Sequence, residues 1–527
     1  MGGAFWMSSA RRVLAPFSAE GRPTLSANIS ANLVLRAWTA ILQIFLTPLI
    51  VHQLGPQGYG LVGFSSSLTL FLMFLDQCIS PTLARELARI GPLPDEAQQA
   101  RNVLRTMEII SCITAVVIGG SVVIAAQWIA RYGIAGSGLP QSELTTVVVL
   151  IGIGLAVQWP AMLYSGGFIG LQRQEVLVAI RMVLGTVIPV GAVLLLWLLR
   201  PSVEVYLAWT ALMSLLTSVV TRIALWHTMP PGATPRAEFA IARHLWRFAA
   251  GNLLLGLTAA LIVQGPGLIV AKYCSLADLA AYTLAVSLAQ QLSTILTQPV
   301  SSALMPHFTQ LVARGDETTL AREYHRWSQI NAALLLPAAA TLVWAPRPLM
   351  QLWLGANSPL AEPVAKLLPW VAVGTLLNTL VTPPYILQLA TGWSQLLVRL
   401  NLVTVAVYLP ATLALAPIYG PIAPAACWVA VNLCYLVIYV PGVHRRLLRG
   451  ELMAWWVHDT ARPLFCIVLL YSVASVAEPT QLPLAASLLL ALTLAATSVG
   501  VLMLCLPYFR ADAVVAIRRV LTIWRPG

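Results

Sequence analysis

Fourteen long apolar stretches, each parted from the next by a short polar one, follow one another between residues 31 and 507. They run approximately 31–53, 57–80, 106–130, 145–168, 176–199, 204–227, 248–271, 279–304, 329–353, 364–388, 396–417, 420–442, 462–477 and 484–507. A helix needs about 20 mostly apolar residues to cross the hydrocarbon of a bilayer. Lipid offers no partner to backbone N–H and C=O groups, so a spanning segment must satisfy them itself, as a helix does. The pattern predicts an all-α polytopic membrane protein with about fourteen transmembrane helices. Charged residues make up only 9% of the chain, against about a quarter in soluble domains. No polar stretch is long enough to enclose a core of its own, so a separate soluble domain is not expected.

The net charge of +12 comes from 31 Lys and Arg against 19 Asp and Glu. An even number of spans puts both termini on one face, and 24 of the cations lie in or beside the loops of that face. Among them are Arg11, Arg12 and Arg22, then Arg85, Arg89, Arg101 and Arg105, and later Arg445, Arg446 and Arg449. The other face carries five (Arg131, Arg200, Lys272, Arg347, Lys366), and the remaining two, Arg36 and Arg181, fall inside spans. Loops rich in Arg and Lys stay in the cytoplasm, which predicts both termini there, with residues 1–28 and 508–527 as tails. The cations do not cluster with aromatics on one surface, so membrane lipids rather than nucleic acid are the expected partners.

The seven cysteines have no metal-binding spacing and fall mostly in apolar runs, where a thiol behaves as a small hydrophobe. No phosphate-binding loop is present, and no nucleophile–base or paired-carboxylate arrangement stands out. The expectation is a protein that is not an enzyme and carries no metal or cofactor. A weak internal echo, Leu49-Ile50-Val51 with Ser67-Leu68 against Leu268-Ile269-Val270 with Ser287-Leu288, suggests two six-helix halves. The boundaries expected are 29–230 and 231–450, followed by two extra spans in 451–507. Transporters are often built from such repeats, with the substrate path between them.

Several motifs, in order, resemble one known family. They are Leu46-Thr47-Pro48 through Leu54-Gly55-Pro56-Gln57-Gly58-Tyr59-Gly60; Leu75-Asp76 with Leu83-Ala84-Arg85-Glu86-Leu87; Gly170-Leu171-Gln172-Arg173; and the run from Gln264 to Lys272 with Tyr282-Thr283-Leu284-Ala285. Pro306-His307, Leu352-Trp353-Leu354-Gly355 and Tyr419-Gly420-Pro421-Ile422 continue the series. Over residues 28 to 440 the chain resembles the Wzx-type polysaccharide flippases of the multidrug/oligosaccharidyl-lipid/polysaccharide exporter superfamily. The resemblance implies two pseudo-symmetric six-helix lobes around a central cavity, plus two C-terminal helices. It also implies movement of an undecaprenyl-diphosphate-linked oligosaccharide to the periplasmic leaflet of a bacterial inner membrane, for surface or exopolysaccharide biosynthesis. The polysaccharide polymerase and export machinery are the further partners implied. In span seven, where the family often has an Asp and a neighbouring cation, this chain has Gly265-Pro266-Gly267, which predicts a helix break there.

Charged groups inside spans are costly and point to function. Asp76 is a candidate coupling or gating carboxylate, or else a structural residue that pairs with a buried cation or caps a helix. Arg36 and Arg181 either snorkel to the cytoplasmic interface or face the cavity and hold the diphosphate by forked, charge-assisted hydrogen bonds. Gln264, Gln290, Gln291, Asn252, Asn378, Asn401 and Asn432 either join helices or meet sugar hydroxyls. Two other functions compete. A multidrug or toxin antiporter of the same fold would want an acidic, aromatic cavity, and an integral-membrane polymerase or ligase of lipid-linked sugars would want larger outer loops.

Overall fold

The computed structural model describes residues 25–73, 79–90, 96–134, 138–393, 395–477 and 483–511, with the backbone alone at 25–33, 239–255, 298–300 and 302–303. Asp76 lies outside the described residues.

Among them, twelve helices are long and apolar enough to cross a membrane. The longest of these, within Leu25–Met73, is two spans. Gly55 breaks it at φ +67°, a backbone conformation that glycine adopts without a Cβ penalty, and Pro56 follows. The two parts run in opposite directions along span 8: Gln43 of the first bonds Gln291, whereas Gly60 and Gly63 of the second face Leu276 and Thr283. Span 9 (Glu317–Trp344) qualifies together with Pro346–Leu354, which turns away from it by 87°. With that pair and the split at Gly55, the number reaches the fourteen expected. The others are span 3 (Ala97–Ile124), span 4 (Gln141–Gly170), span 5 (Gln174–Leu198), span 6 (Val203–Thr228), span 7 (Phe239–Tyr273) and span 8 (Leu276–Arg314). Span 10 (Ala361–Ala390), span 11 (Gln395–Tyr419), span 12 (Ile422–Leu447), span 13 (Leu452–Ala474) and span 14 (Leu484–Cys505) follow.

Side-chain caps mark three of the helix starts. Ser202 and Asp316 accept from the backbone N–H groups of Val205 and Thr319, and Ser275 with Asp278 forms a reciprocal capping box. The bond from Thr319 holds the exposed Asp316 carboxyl below its ordinary pKa.

Three boundaries differ from expectation. Span 9 ends at Trp344 rather than 353, because Pro346 starts a second helix in a new direction. Span 13 begins at Leu452, earlier than 462, and contains a π-helical segment, Trp455–Ala461. After span 2 the chain forms another helix, Ile79–Ile90, with Leu83, Leu87 and Ile90 buried on one side.

Span 7 corrects a fourth expectation, the break at Gly265-Pro266-Gly267. The helix Phe239–Tyr273 continues through all three residues. The glycines serve close packing instead. A Cβ on Gly267 would stand 2.6 Å from Ser67 Oγ, and one on Gly265 would stand 2.9 Å from Leu409 Cδ2. Small residues let helices approach in this way.

The hydrophobic clusters show how the bundle is closed. The near end of the bundle carries the connections 171–173, 229–238, 315–316 and 448–451; the far end carries 199–202 and 274–275. One cluster seals the far end across both halves of the chain. It joins Val51, Tyr59 and Leu61 to Leu144, Leu276 and Leu360. Toward the near end there are two clusters. Leu83, Leu104, Phe168 and Leu225 belong to the first half, while Phe308, Tyr324, Tyr439 and Trp455 join the second half to span 13. The long helix of span 7 touches span 3 and the helix 79–90 between them. Among the described residues, the far end is thus closed by one continuous apolar cluster, and the near end holds two separate ones.

Candidate functional site

Two cavities flank span 8. The larger, about 670 Å³, lies among spans 7, 8, 10, 11 and 12. Gln290, Asn378, Tyr385, Asn401, Trp428 and Tyr435 are among its walls. The smaller, about 390 Å³, lies among spans 1, 2, 5, 6 and 8, with Thr39, Gln43, Tyr59, Tyr206, Gln291 and Trp353 in its walls. Neighbouring residues of span 8 face opposite ways. Tyr282, Val286 and Gln290 look into the larger cavity, and Thr283, Ser287 and Gln291 into the smaller.

The two intramembrane arginines are brought together. Trp38 Nε1 donates to Thr186 Oγ1 at 2.8 Å and Thr39 faces Gly185, so spans 1 and 5 pack side by side in parallel. Arg36 and Arg181 sit three and four residues before that contact, about 5–6 Å nearer the near end at 1.5 Å per residue. Each guanidinium lies within the electrostatic reach of the other, and both side chains are exposed. Arg181 Nη2 donates to Ser165 Oγ at 3.0 Å. Neither arginine lines the smaller cavity itself; both stand one turn outside it, at the level of its near-end mouth.

Three of the asparagines take part in joining helices. Asn378 Nδ2 donates to Asn432 Oδ1 at 2.8 Å, joining spans 10 and 12. Asn401 Oδ1 accepts from Tyr435 Oη at 2.9 Å, joining spans 11 and 12. Asn378 and Asn401 nevertheless reach the cavity wall. Gln264 lines neither cavity. Trp353 is part of the smaller cavity, and its Nε1 donates to Ile44 O at 2.7 Å.

Two buried carboxylates were missed in the sequence. Glu108 in span 3 is 2% exposed and accepts from Arg105 Nη1 at 2.7 Å, from Tyr164 Oη at 2.8 Å and from Arg222. Asp459, in the π-helical segment of span 13, is 1% exposed and bonds His325 and Gln329 of span 9. For Glu108 the signal was an acid inside an apolar run, the same one that singled out Asp76; Asp459 lies just before the run 462–477 and carried no such signal. Neither group lines a cavity.

A family model described as "Polysaccharide biosynthesis protein" matches residues 51–358, more than half of the chain. The chain belongs to this family. No curated protein sequence matches it. Among solved structures, the fold is similar to the lipid II flippase MurJ in an inward closed conformation. That match has a TM-score of 0.66 and 11% identity, and covers 90% of this chain and 97% of that one. It is also similar to an inward-facing multidrug resistance MATE family transporter of the MOP superfamily, with a TM-score of 0.60 and 14% identity over 79% and 99% of the two chains. A MOP superfamily transporter from Pyrococcus furiosus gives 0.54 and 14% over 83% and 99%. This polysaccharide biosynthesis protein is therefore a multi-pass membrane protein with the fold of MOP superfamily transporters, as the motifs led one to expect.

Proposed function

We propose that the protein is a flippase that moves an undecaprenyl-diphosphate-linked oligosaccharide from the cytoplasmic to the periplasmic leaflet by alternating access. The observation that carries this reading is the pair Arg36 and Arg181, side by side at the near-end mouth of a cavity whose far end is sealed. Two guanidiniums at one level suit a diphosphate, which accepts planar, forked, charge-assisted hydrogen bonds from both. The polyprenyl tail stays in lipid while the head group enters the bundle. Rocking of one half against the other, taken as residues 29–230 and 231–450, then closes the near end and opens the far end. The charge asymmetry of the loops supports an inner-membrane protein whose termini and near end face the cytoplasm.

Membership of a polysaccharide biosynthesis family and a fold shared with a lipid II flippase support a lipid-linked substrate. The multidrug antiporter reading would be favoured by acids facing the transport path. Among the described residues, no Asp or Glu lines either cavity.

The test is surface glycan in cells that lack the native gene, read beside the amount of protein in the membrane. Arg36→Ala and Arg181→Ala should each abolish export at normal protein levels. Lys should restore it only in part, because it keeps the charge and loses the planar fork. If Gln at both positions exports normally, the diphosphate is held elsewhere.

A further inference from the structure

The larger cavity has a wall chemistry unlike that of the arginine pair. Among the described residues, 25 line it, and none of these is Asp, Glu, Lys, Arg or His. Its polar groups are amides and hydroxyls: Gln290, Asn378 and Asn401 with Thr294, Thr375 and Tyr385. Arg399, the nearest cation in sequence on span 11, stands two residues from both Leu397 and Asn401, which line the cavity. At 3.6 residues per turn, a two-residue step points to the opposite side of the helix. The wall also carries aromatic surface. Trp428 and Tyr408 pack with ring centroids 6.2 Å apart, and Gly374 lets the indole lie directly against span 10.

Some polar capacity is left over for a guest. No side-chain hydrogen bond engages the amide of Gln290 or the hydroxyl of Tyr385, and both side chains are exposed. Asn378 spends one amide hydrogen on Asn432 and Asn401 accepts from Tyr435, so the carbonyl of the first and the amide nitrogen of the second remain available. Amides that both donate and accept, beside aromatic faces, match a sugar ring, whose hydroxyls do the same and whose C–H faces are apolar.

We infer that this cavity receives the glycan of the substrate and selects for uncharged sugars. The inference rests on the flippase reading above, with the diphosphate held by Arg36 and Arg181 on the other side of span 8. Those two cations are then matched by the diphosphate, and no described residue of the cavity wall carries a charge to pair a further anion. A uronic acid carboxylate would have to give up part of its water in a half-open cavity without a counter-charge, which costs more than placing a hydroxyl there. The volume, about 670 Å³, is within the range of pockets that bury small ligands, roughly 300–1,000 Å³. It suits a few sugars of the repeat unit rather than a long chain.

The experiment measures binding to the full-length protein in nanodiscs with three probes. They are undecaprenyl diphosphate without sugar, the same carrier with a neutral trisaccharide, and that glycolipid with one hexose replaced by its uronic acid. The neutral glycolipid should bind roughly tenfold tighter than the bare carrier, and roughly tenfold tighter than the uronic acid form. In Gln290→Leu the gain from the neutral glycan should fall by about fivefold or more, and Gln290→Arg should narrow the preference against the uronic acid. Binding of the bare carrier reports that each variant is folded. Equal binding of the two glycolipids, or a full glycan gain in Gln290→Leu, would overturn the inference. Bare-carrier binding that does not depend on Arg36 and Arg181 would overturn the diphosphate reading instead and leave the glycan comparison standing.

Discussion

His325 of span 9 and Asp459 of span 13 are hydrogen-bonded through Nδ1 and Oδ2, and this bond ties the penultimate span to the body of the bundle. The other ring nitrogen lies 3.1 Å from Glu451 Oε2. With a carboxylate at each nitrogen, the imidazolium is the species that donates to both. Gln329 completes the tie, donating from Nε2 to Asp459 Oδ1 at 2.9 Å and accepting from the backbone N–H of Tyr508 beyond span 14 at 3.1 Å. Asp459 lies in the π-helical turn of span 13 and faces span 9.

Breaking this tie should loosen the last two spans. Asp459→Asn removes one partner of a buried charged pair, a change that typically costs about 3–5 kcal/mol. Thermal unfolding of the purified protein should show the loss, and His325→Gln added to Asp459→Asn should recover part of it. Losses that simply add would mean that the two residues act separately.

Glu108 gathers two arginines and a tyrosine from spans 3, 4 and 6. Arg105 and Arg222 are 41% and 46% exposed and can regain water, so the main penalty falls on the buried partners. Glu108→Gln should cost roughly 1–3 kcal/mol, and Tyr164→Phe about 1 kcal/mol. Membrane accumulation and melting temperature would show both. If Glu108→Gln instead left stability intact and stopped glycan export, Glu108 would be part of the transport machinery.

The far-end seal should depend on Gly60. A Cβ there would stand 2.1 Å from the backbone oxygen of Leu276, which cannot move aside as a side chain could. Gly60→Ala should push span 2 away from span 8 and admit water. A cysteine placed at Ser66 in the smaller cavity should then react roughly tenfold faster with an impermeant thiol reagent added outside, a shift of about 1.4 kcal/mol. An unchanged rate would mean that the seal does not rest on this contact.

The orientation can be read with reporter fusions. A fusion after Arg449 should report cytoplasm, and one at Gly138 should report periplasm. The opposite result would invert the bundle and place the arginine pair on the wrong side for loading.

Much of the architecture was legible in the chain. The span count survived because Gly55-Pro56 separates two apolar runs that are otherwise continuous in the helix Leu25–Met73. The pairing of Arg36 with Arg181 was not legible, since their sequence separation says nothing of the Trp38–Thr186 bond that sets spans 1 and 5 in register. Glu108 carried the same signal as Asp76, an acid in an apolar run, and only its three partners mark it as a structural hub. Gly265-Pro266-Gly267 read as a break because glycine and proline weaken an isolated helix. Neighbours at Ser67 and Leu409 turn the same residues into a tight packing surface.

The sequence by itself determined that the chain crosses a membrane many times, and its loop charges favour one orientation. Partition between water and lipid is settled segment by segment, from the residues each segment contains. Only the tertiary structure decided which end of the bundle is sealed, which charges meet, and that the described walls of one cavity hold no charged side chain. Those depend on how each helix is rotated against its neighbours. A residue's position along a span fixes its depth, but the side chains across from it decide whether it faces lipid, a partner or the cavity.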